Sequence, residues 1–146
     1  MGLFDAISIS ASGLTAERLR MDVISNNIAN ANTTRTEEGG PYRRQMVIFQ
    51  AREGETSSFY DLLQRKVQPG TGVRAVKIVK DPSPLRQVYD PSHPDADQQG
   101  LVNLPNVNIV AEMVDLIAAT RAYEANVTAL NSTKTMANRA LEIGRS

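Results

Sequence analysis

Near the start of the chain, Phe4, Ile7, Ala11, Leu14, Met21 and Ile28 recur at alternating three- and four-residue steps, with Arg18 and Ser25 in the two remaining places. One column of this pattern, Ile7, Leu14, Met21 and Ile28, is apolar throughout. A strict seven-residue repeat predicts a helix with a left-handed coiled-coil seam rather than a general globular face. The helix is expected over about residues 2–31. Gly13 inside it costs ~1 kcal/mol relative to alanine. Asn26, Asn27, Asn30 and Asn32 crowd its end, where asparagine tolerates the left-handed cap conformation.

A second pattern begins near Asn108 and runs to about Gly144. Ile109, Met113, Leu116, Thr120, Tyr123, Val127, Leu130, Lys134, Ala137 and Leu141 keep the same steps without a break. Again one column is apolar: Ile109, Leu116, Tyr123, Leu130 and Ala137. Asn108 is suited to cap the helix, Glu112 places negative charge in its first turn, and Pro105 keeps the chain before it extended. A helix of this span would be about 50 Å long.

The middle reads as short strands and loops. The stretches 42–51, around Met46-Val47-Ile48-Phe49, and 72–80, with Val73, Val76, Ile78 and Val79, are β-prone; residues 59–67 are ambiguous. Six of the 7 prolines lie between Pro69 and Pro105, and Pro82, Pro84, Pro91 and Pro94 mark an extended segment that can be neither helix nor central strand. The fold class expected is α+β: N- and C-terminal helices paired as an antiparallel coiled coil around a small β-rich middle. The divisions expected are 1–32, 33–107 and 108–146. Both helices enter the same middle segment, so the chain must return and the columns Ile7-Leu14-Met21-Ile28 and Ile109-Leu116-Tyr123-Leu130 should face each other.

Such a hairpin is marginal alone. Ordering each residue costs ~1–2 kcal/mol of backbone entropy, while each large apolar side chain in the seam returns ~1.5–3 kcal/mol. Apolar residues continue beyond the seam, however. Val110, Val114 and Ile117 make a second stripe flanked by Ala118, Ala122 and Ala125, and Leu19, Val23 and Ile24 widen the first helix. A helix apolar on two sides expects two neighbours. The second stripe either covers the middle segment or packs against other subunits.

Composition narrows the chemistry. The 16 basic and 16 acidic residues give a formal net charge of zero, which offers no electrostatic footprint for nucleic acid or an anionic membrane. The chain has no cysteine, hence no disulfide, thiolate metal site or cysteine nucleophile. No apolar run is long enough to span a bilayer, and with Asp5 early and Arg18 the first arginine, the start does not read as a cleavable signal. His93, the single histidine, sits near prolines and reads as a loop residue. Asp90, Asp95 and Asp97 lack the order of a calcium loop. Gly70-Thr71-Gly72 lacks the lysine of a phosphate loop. Ser8, Ser10 and Ser12 have no base beside them. No convergent acid, base and nucleophile is evident, and no cofactor or small-molecule substrate is expected.

The motifs are more specific. The segment Asn26-Asn27-Ile28-Ala29-Asn30-Ala31-Asn32-Thr33 resembles the N-terminal signature of flagellar rod and hook proteins. Arg121-Ala122-Tyr123-Glu124-Ala125-Asn126 resembles their C-terminal one. Three further runs, Gly40-Pro41-Tyr42-Arg43-Arg44-Gln45, Tyr89-Asp90-Pro91-Ser92-His93-Pro94-Asp95-Ala96-Asp97 and Leu104-Pro105-Asn106-Val107-Asn108, resemble rod proteins of the FlgC type, as does the long segment from Thr33 to Tyr42. The likeness extends over essentially the whole chain.

That resemblance implies a structural subunit of the proximal rod of the bacterial flagellar basal body, not an enzyme; a different rod or hook-region subunit is the alternative. It implies export by the flagellar type III apparatus without cleavage, assembly beyond the inner membrane, and partners that are copies of itself and other rod proteins. The terminal helices would form an inner tube around the export channel. Phe4, Ile7, Leu14, Met21, Ile28, Ile109, Met113, Leu116, Tyr123, Val127 and Leu130 are expected to serve helix pairing and assembly. The signature positions are Asn27, Asn30, Thr33, Tyr42, Asp90, Pro91, His93, Pro94, Asp95, Asn106, Asn108, Tyr123 and Glu124.

Overall fold

Two helices of 27 and 35 residues, α1 (Leu3–Ala29) and α2 (Ile109–Ile143), bracket four short strands. These are β1 (Gln45–Ala51), β2 (Val73–Lys80), β3 (Arg86–Tyr89) and β4 (Leu101–Leu104). The structure, a computed structural model, describes residues 3–52 and 71–144; the ambiguous stretch 59–67 lies outside the described residues. The fold is α+β, as the patterning predicts.

The helices pair antiparallel. Asn27 meets Glu112, Met21 meets Thr120, and Gly13 meets Asn126, so the partners run in opposite order along the two helices. α2 starts where the sequence says it should: the Asn108 side chain accepts from the amides of Val110 and Ala111, satisfying two N–H groups that the helix cannot.

The seam keeps one predicted column on each helix and moves the other. Ile7, Leu14, Met21 and Ile28 are all half-buried, as are Leu116, Tyr123, Leu130 and Ala137. The companion column on α1 was expected to hold Phe4, Ala11, Arg18 and Ser25, and all four are exposed. Ser10, Glu17, Ile24 and Ala31, one position earlier in the repeat, are covered instead. On α2 the same shift leaves Met113, Thr120 and Lys134 exposed and Val127 half-buried, and brings in Glu112, Ala119, Asn126 and Thr133, of which Glu112, Ala119 and Thr133 are buried. Small and polar side chains thus occupy the line of closest approach, and the larger apolar ones flank it. Gly13 lies on that line. A Cβ there would stand 2.9 Å from Asn126 Oδ1, so glycine permits the close approach that the sequence scored only as a helix weakness.

α1 has a second neighbour. β1 and β2 form an antiparallel ribbon from Gln45↔Lys80 to Ala51↔Val73, with a register shift between Ile48 and Phe49. The ribbon lies against α1, where Ser12 Oγ accepts from the Val73 amide at 3.1 Å while donating to Ile9 O at 2.7 Å. Val23 and Ile24 line a cleft with Met46, Val47 and Phe49. The prolines leave room for a second ribbon, β3 with β4, paired from Arg86↔Leu104 to Tyr89↔Leu101. It touches no other helix or strand among the described residues and is attached through its loops. Ala31, Tyr42 and Val107 form a small buried cluster where the helix ends meet the middle.

Candidate assembly site

The signature asparagines Asn27 and Asn106 and Arg44 of the middle segment converge on one knot. Asn27 is fully buried near the end of α1. Its Nδ2 donates to Gln45 O and to Glu112 Oε2, both at 2.9 Å. Its Oδ1 accepts from the Gln45 amide and the Tyr42 hydroxyl, again at 2.9 Å. A single amide therefore uses four bonds to hold α1 to β1 and to α2. Asn30 and Thr33 finish the helix end: Asn30 Nδ2 donates to Asn26 O at 3.0 Å, Thr33 Oγ1 donates to Asn30 Oδ1 at 3.2 Å, and the Tyr42 amide donates to Thr33 O at 3.0 Å.

Glu112, 0 % exposed, is the other centre of the knot. Arg44 Nε donates to Glu112 Oε1 at 2.5 Å, and the same guanidinium faces Asp115 at 3.4 Å and Asp81 at 3.7 Å. Burial works to lower the Arg44 pKa, but the hydrogen bond to Glu112 and the charges of Glu112, Asp115 and Asp81 together raise it above its ordinary value. Burial, reinforced by the Glu112 charge, also raises Tyr42. Asn106 completes the enclosure: its Oδ1 accepts from the Arg44 amide at 2.8 Å, and its Nδ2 donates to Asp81 O and Ser83 O. Every buried charge here is paired, which is the condition for a buried charge to be tolerated. The knot joins both ends of the chain to its middle and has the character of a positioning device rather than a reaction centre.

The Asp90 to Asp97 motif builds the loop between β3 and β4. Asp90 Oδ1 accepts from the Ser92 amide and hydroxyl, and these bonds hold its carboxyl below the usual range. His93 Nδ1 accepts from the Asp95 amide at 3.1 Å. Asp95 takes the Thr34 hydroxyl at 2.7 Å and pairs with Arg35; the Thr34 bond is the main cause of its lowered pKa. The loop is thus fastened to the segment after α1, with Pro91 and Pro94 setting its bends. Gly100 closes it with φ +77, and a Cβ there would meet Tyr89 Cε2 at 2.9 Å.

The structure separates the remaining candidates. Leu116, Tyr123, Val127 and Leu130 are half-buried along the helix pair. Phe4, at 82 % exposed, and Met113 lie outside the intramolecular seam because the line of contact is one position earlier in the repeat, whereas Ile109 is exposed because it stands at the start of α2, level with the chain just past the end of α1. Glu124 is exposed. Met113 joins Val110, Val114 and Ile117 in an exposed apolar stripe on α2, so the second stripe does not cover the middle segment. Glu112, Arg44, Gly13 and Asn126 are the positions whose roles sequence reasoning missed. A charged residue three places after Ile109 and four before Leu116 was the available signal for Glu112. No helix among the described residues is long and apolar enough to cross a membrane.

Two long helices, paired antiparallel and tied together through a signature asparagine, have the architecture expected of an axial subunit of the flagellar type. Consistent with that class, residues 7–35 match the family model for flagella basal body rod protein, and residues 98–143 match that for the C-terminal part of flagellar basal body rod FlgEFG protein. The chain is 54 % identical to a flagellar basal-body rod protein FlgC of Borreliella burgdorferi, over 98 % of each chain. It is 49 % identical to that of Bacillus subtilis and 34 % identical to that of Salmonella typhimurium, in both cases over 99 % of this chain and all of the relative. The chain belongs to the FlgC family and is a structural subunit of the flagellar basal-body rod.

Proposed function

We propose that this subunit polymerises with copies of itself and with other rod proteins through its helical hairpin, as part of the proximal rod that carries torque from the motor. The carrying observation is the stripe Val110, Met113, Val114 and Ile117, exposed on a helix whose opposite face already holds α1. A helix with two apolar faces and one neighbour is incomplete as a monomer.

In this reading residues 1–32 and 108–146 build the inner helical layer around the export channel, and residues 33–107 lie outside it. The seam residues Ile7, Leu14, Met21, Ile28, Leu116, Tyr123, Val127 and Leu130 set the hairpin, while Phe4, Ile109 and Met113 face neighbours. The chain leaves the cell interior through the flagellar type III apparatus and assembles beyond the inner membrane. It performs no catalysis and takes no cofactor, and it does not insert into the membrane.

Ile117→Asp tests the proposal, because Ile117 is exposed in the monomer and its replacement leaves the fold intact. Cells carrying it should export the protein yet lack completed rods, as read by fractionation and by imaging of basal bodies. Normal swimming would overturn the reading.

A further inference from the structure

The β1–β2 ribbon has two outer edges, and α1 covers them unequally. Asn27 takes both the amide and the carbonyl of Gln45, so these groups point away from β2. Gln45 faces Lys80, and two positions on Val47 faces Ile78. In an antiparallel pair a residue whose backbone groups point outward faces one that does the same, and the pattern returns at every second position. The amides and carbonyls of Ile78 and Lys80 therefore point off the outer edge of β2. The bond from the Asp81 amide to Arg44 O fits this alternation. At its start the same edge is taken by α1, where Ser12 Oγ accepts from the Val73 amide. From Val76 to Lys80 no strand pairs with it among the described residues. Val76 and Ile78, 51 % and 46 % exposed, stand along this open part.

The ribbon is also charged. Residues 43–52 and 71–80 carry Arg43, Arg44, Arg52, Arg74, Lys77 and Lys80 and no acidic side chain. Counting the connecting residues as well, the stretch 43–80 holds 8 basic and 3 acidic residues in a chain whose net charge is zero. Arg44 is answered by Glu112, and Lys80 by Glu38. Arg43, Arg52, Arg74 and Lys77 make no ion pair among the described residues.

We infer that the open edge of β2 receives an extended acidic segment of a different protein, which adds to the ribbon as a third strand. The outward amides and carbonyls of Ile78 and Lys80 supply the backbone pairing, and Val76 and Ile78 supply apolar contact. Charge chooses the occupant. An uncovered edge invites a second copy of the same strand, but β2 against β2 sets Arg74, Lys77 and Lys80 among their own kind, and like charges across a strand pair destabilise it. A strand with carboxylates at alternate positions meets attraction instead. Lys80 already holds Glu38 from the segment after α1, so this edge takes a carboxylate that comes within reach. The contact lies on the middle of the chain and not on the helical stripe, so it goes beyond the subunit reading and does not depend on it.

The test adds a synthetic peptide of alternating valine and glutamate, about six residues long, to the isotopically labelled full chain and follows its amides by nuclear magnetic resonance. In the free chain the Ile78 and Lys80 amides should exchange rapidly with solvent. The peptide should shift both signals and slow their exchange. Lysine in place of glutamate in the peptide should abolish binding, and so should methylation of every backbone nitrogen. Arg74→Glu with Lys77→Glu should weaken the acidic peptide by about tenfold, while Arg74→Lys with Lys77→Arg should leave it unchanged; these side chains are exposed, and circular dichroism checks that each variant folds as the parent does. Slow exchange of Ile78 and Lys80 in the free chain would mean that the edge is already covered, and would overturn the inference. So would a methylated or a lysine peptide that binds as well as the acidic one, a second copy of the chain pairing through the same amides, or an acidic peptide that moves neither signal. The Ile117→Asp chain should bind the peptide as its parent does, so failure here leaves the subunit reading standing, and failure there leaves this contact standing.

Discussion

Replacing Arg44 with methionine keeps the length of the side chain and removes its charge. Among the described residues, Glu112, wholly buried, would then retain only the Asn27 amide as a side-chain partner. Removing one member of a buried ion pair costs ~3–5 kcal/mol, chiefly because the other charge is left without compensation. Here the guanidinium side chain is 24 % exposed and its further partners Asp81 and Asp115 reach solvent, so the lower end, ~3 kcal/mol, applies. At about 2–4 °C per kcal/mol for a chain near this size, the melting temperature should fall by roughly 10 °C. The double variant Arg44→Met with Glu112→Leu removes both charges and should melt above Arg44→Met alone. Thermal unfolding of the parent, both single variants and the double variant by circular dichroism supplies the cycle, whose coupling should exceed about 1 kcal/mol. An Arg44→Met protein melting within about 2 °C of its parent, or single effects that simply add, would refute the claim that this pair fixes the hairpin to the middle of the chain.

Three further outcomes follow from the geometry. Gly13→Ala should destabilise despite a propensity gain of ~1 kcal/mol, because its Cβ displaces the Asn126 amide; adding Asn126→Ala should restore the melting temperature to or above that of the parent. Leu116→Asp, in the half-buried seam, should lose several kcal/mol of helix docking for want of a partner and leave cells without rods while the protein is still exported. Stability should hold a plateau and fall at both pH extremes. Asp81, Asp90, Asp95 and Glu38 have lowered pKa values, through bonds to Ser83, Ser92, Thr34 and Lys80 respectively. Their contribution is complete above the unfolded values, 3.8 for aspartate and 4.5 for Glu38, and is lost as pH falls through the lower folded values. Tyr42 is raised, so its contribution is complete below 10.0 and is lost as pH rises through the folded value. Denaturant titration across pH measures both limbs; Tyr42→Phe should flatten the alkaline one, and an unchanged alkaline limb in that variant would count against the buried phenol.

The helices were legible because a seven-residue repeat survives any tertiary context that uses it, and the Asn108 cap because its side chain acts on its own backbone. The first two strands were legible from β-branched runs. The pairing of Arg86–Tyr89 with Leu101–Leu104 was not, because the prolines beside it mask short strands that need only one partner each. The seam was half legible. Ile7, Leu14, Met21 and Ile28 announce themselves by bulk, but what lies closest between two helices is chosen by smallness and by hydrogen bonding, and Gly13, Ala119 and Thr133 carry no hydrophobic signal. The knot was legible as a set of signature residues and illegible as a site. Glu112 looks like an ordinary first-turn carboxylate, and only the return of α2 past Asn27 shows that it is buried on Arg44.

Glu112 and Asn27 are 85 residues apart in sequence, with Arg44 between them. The knot cannot be tied until both termini and the middle share one place. A chain delivered end first, through any pore or from a ribosome, has its leading helix out long before the trailing one exists to receive it. Closing so long a loop comes late in folding, since the entropy is lost before the contacts are gained. The buried carboxylate therefore works as a clock: the rod's building block acquires its final shape only after its last helix has arrived.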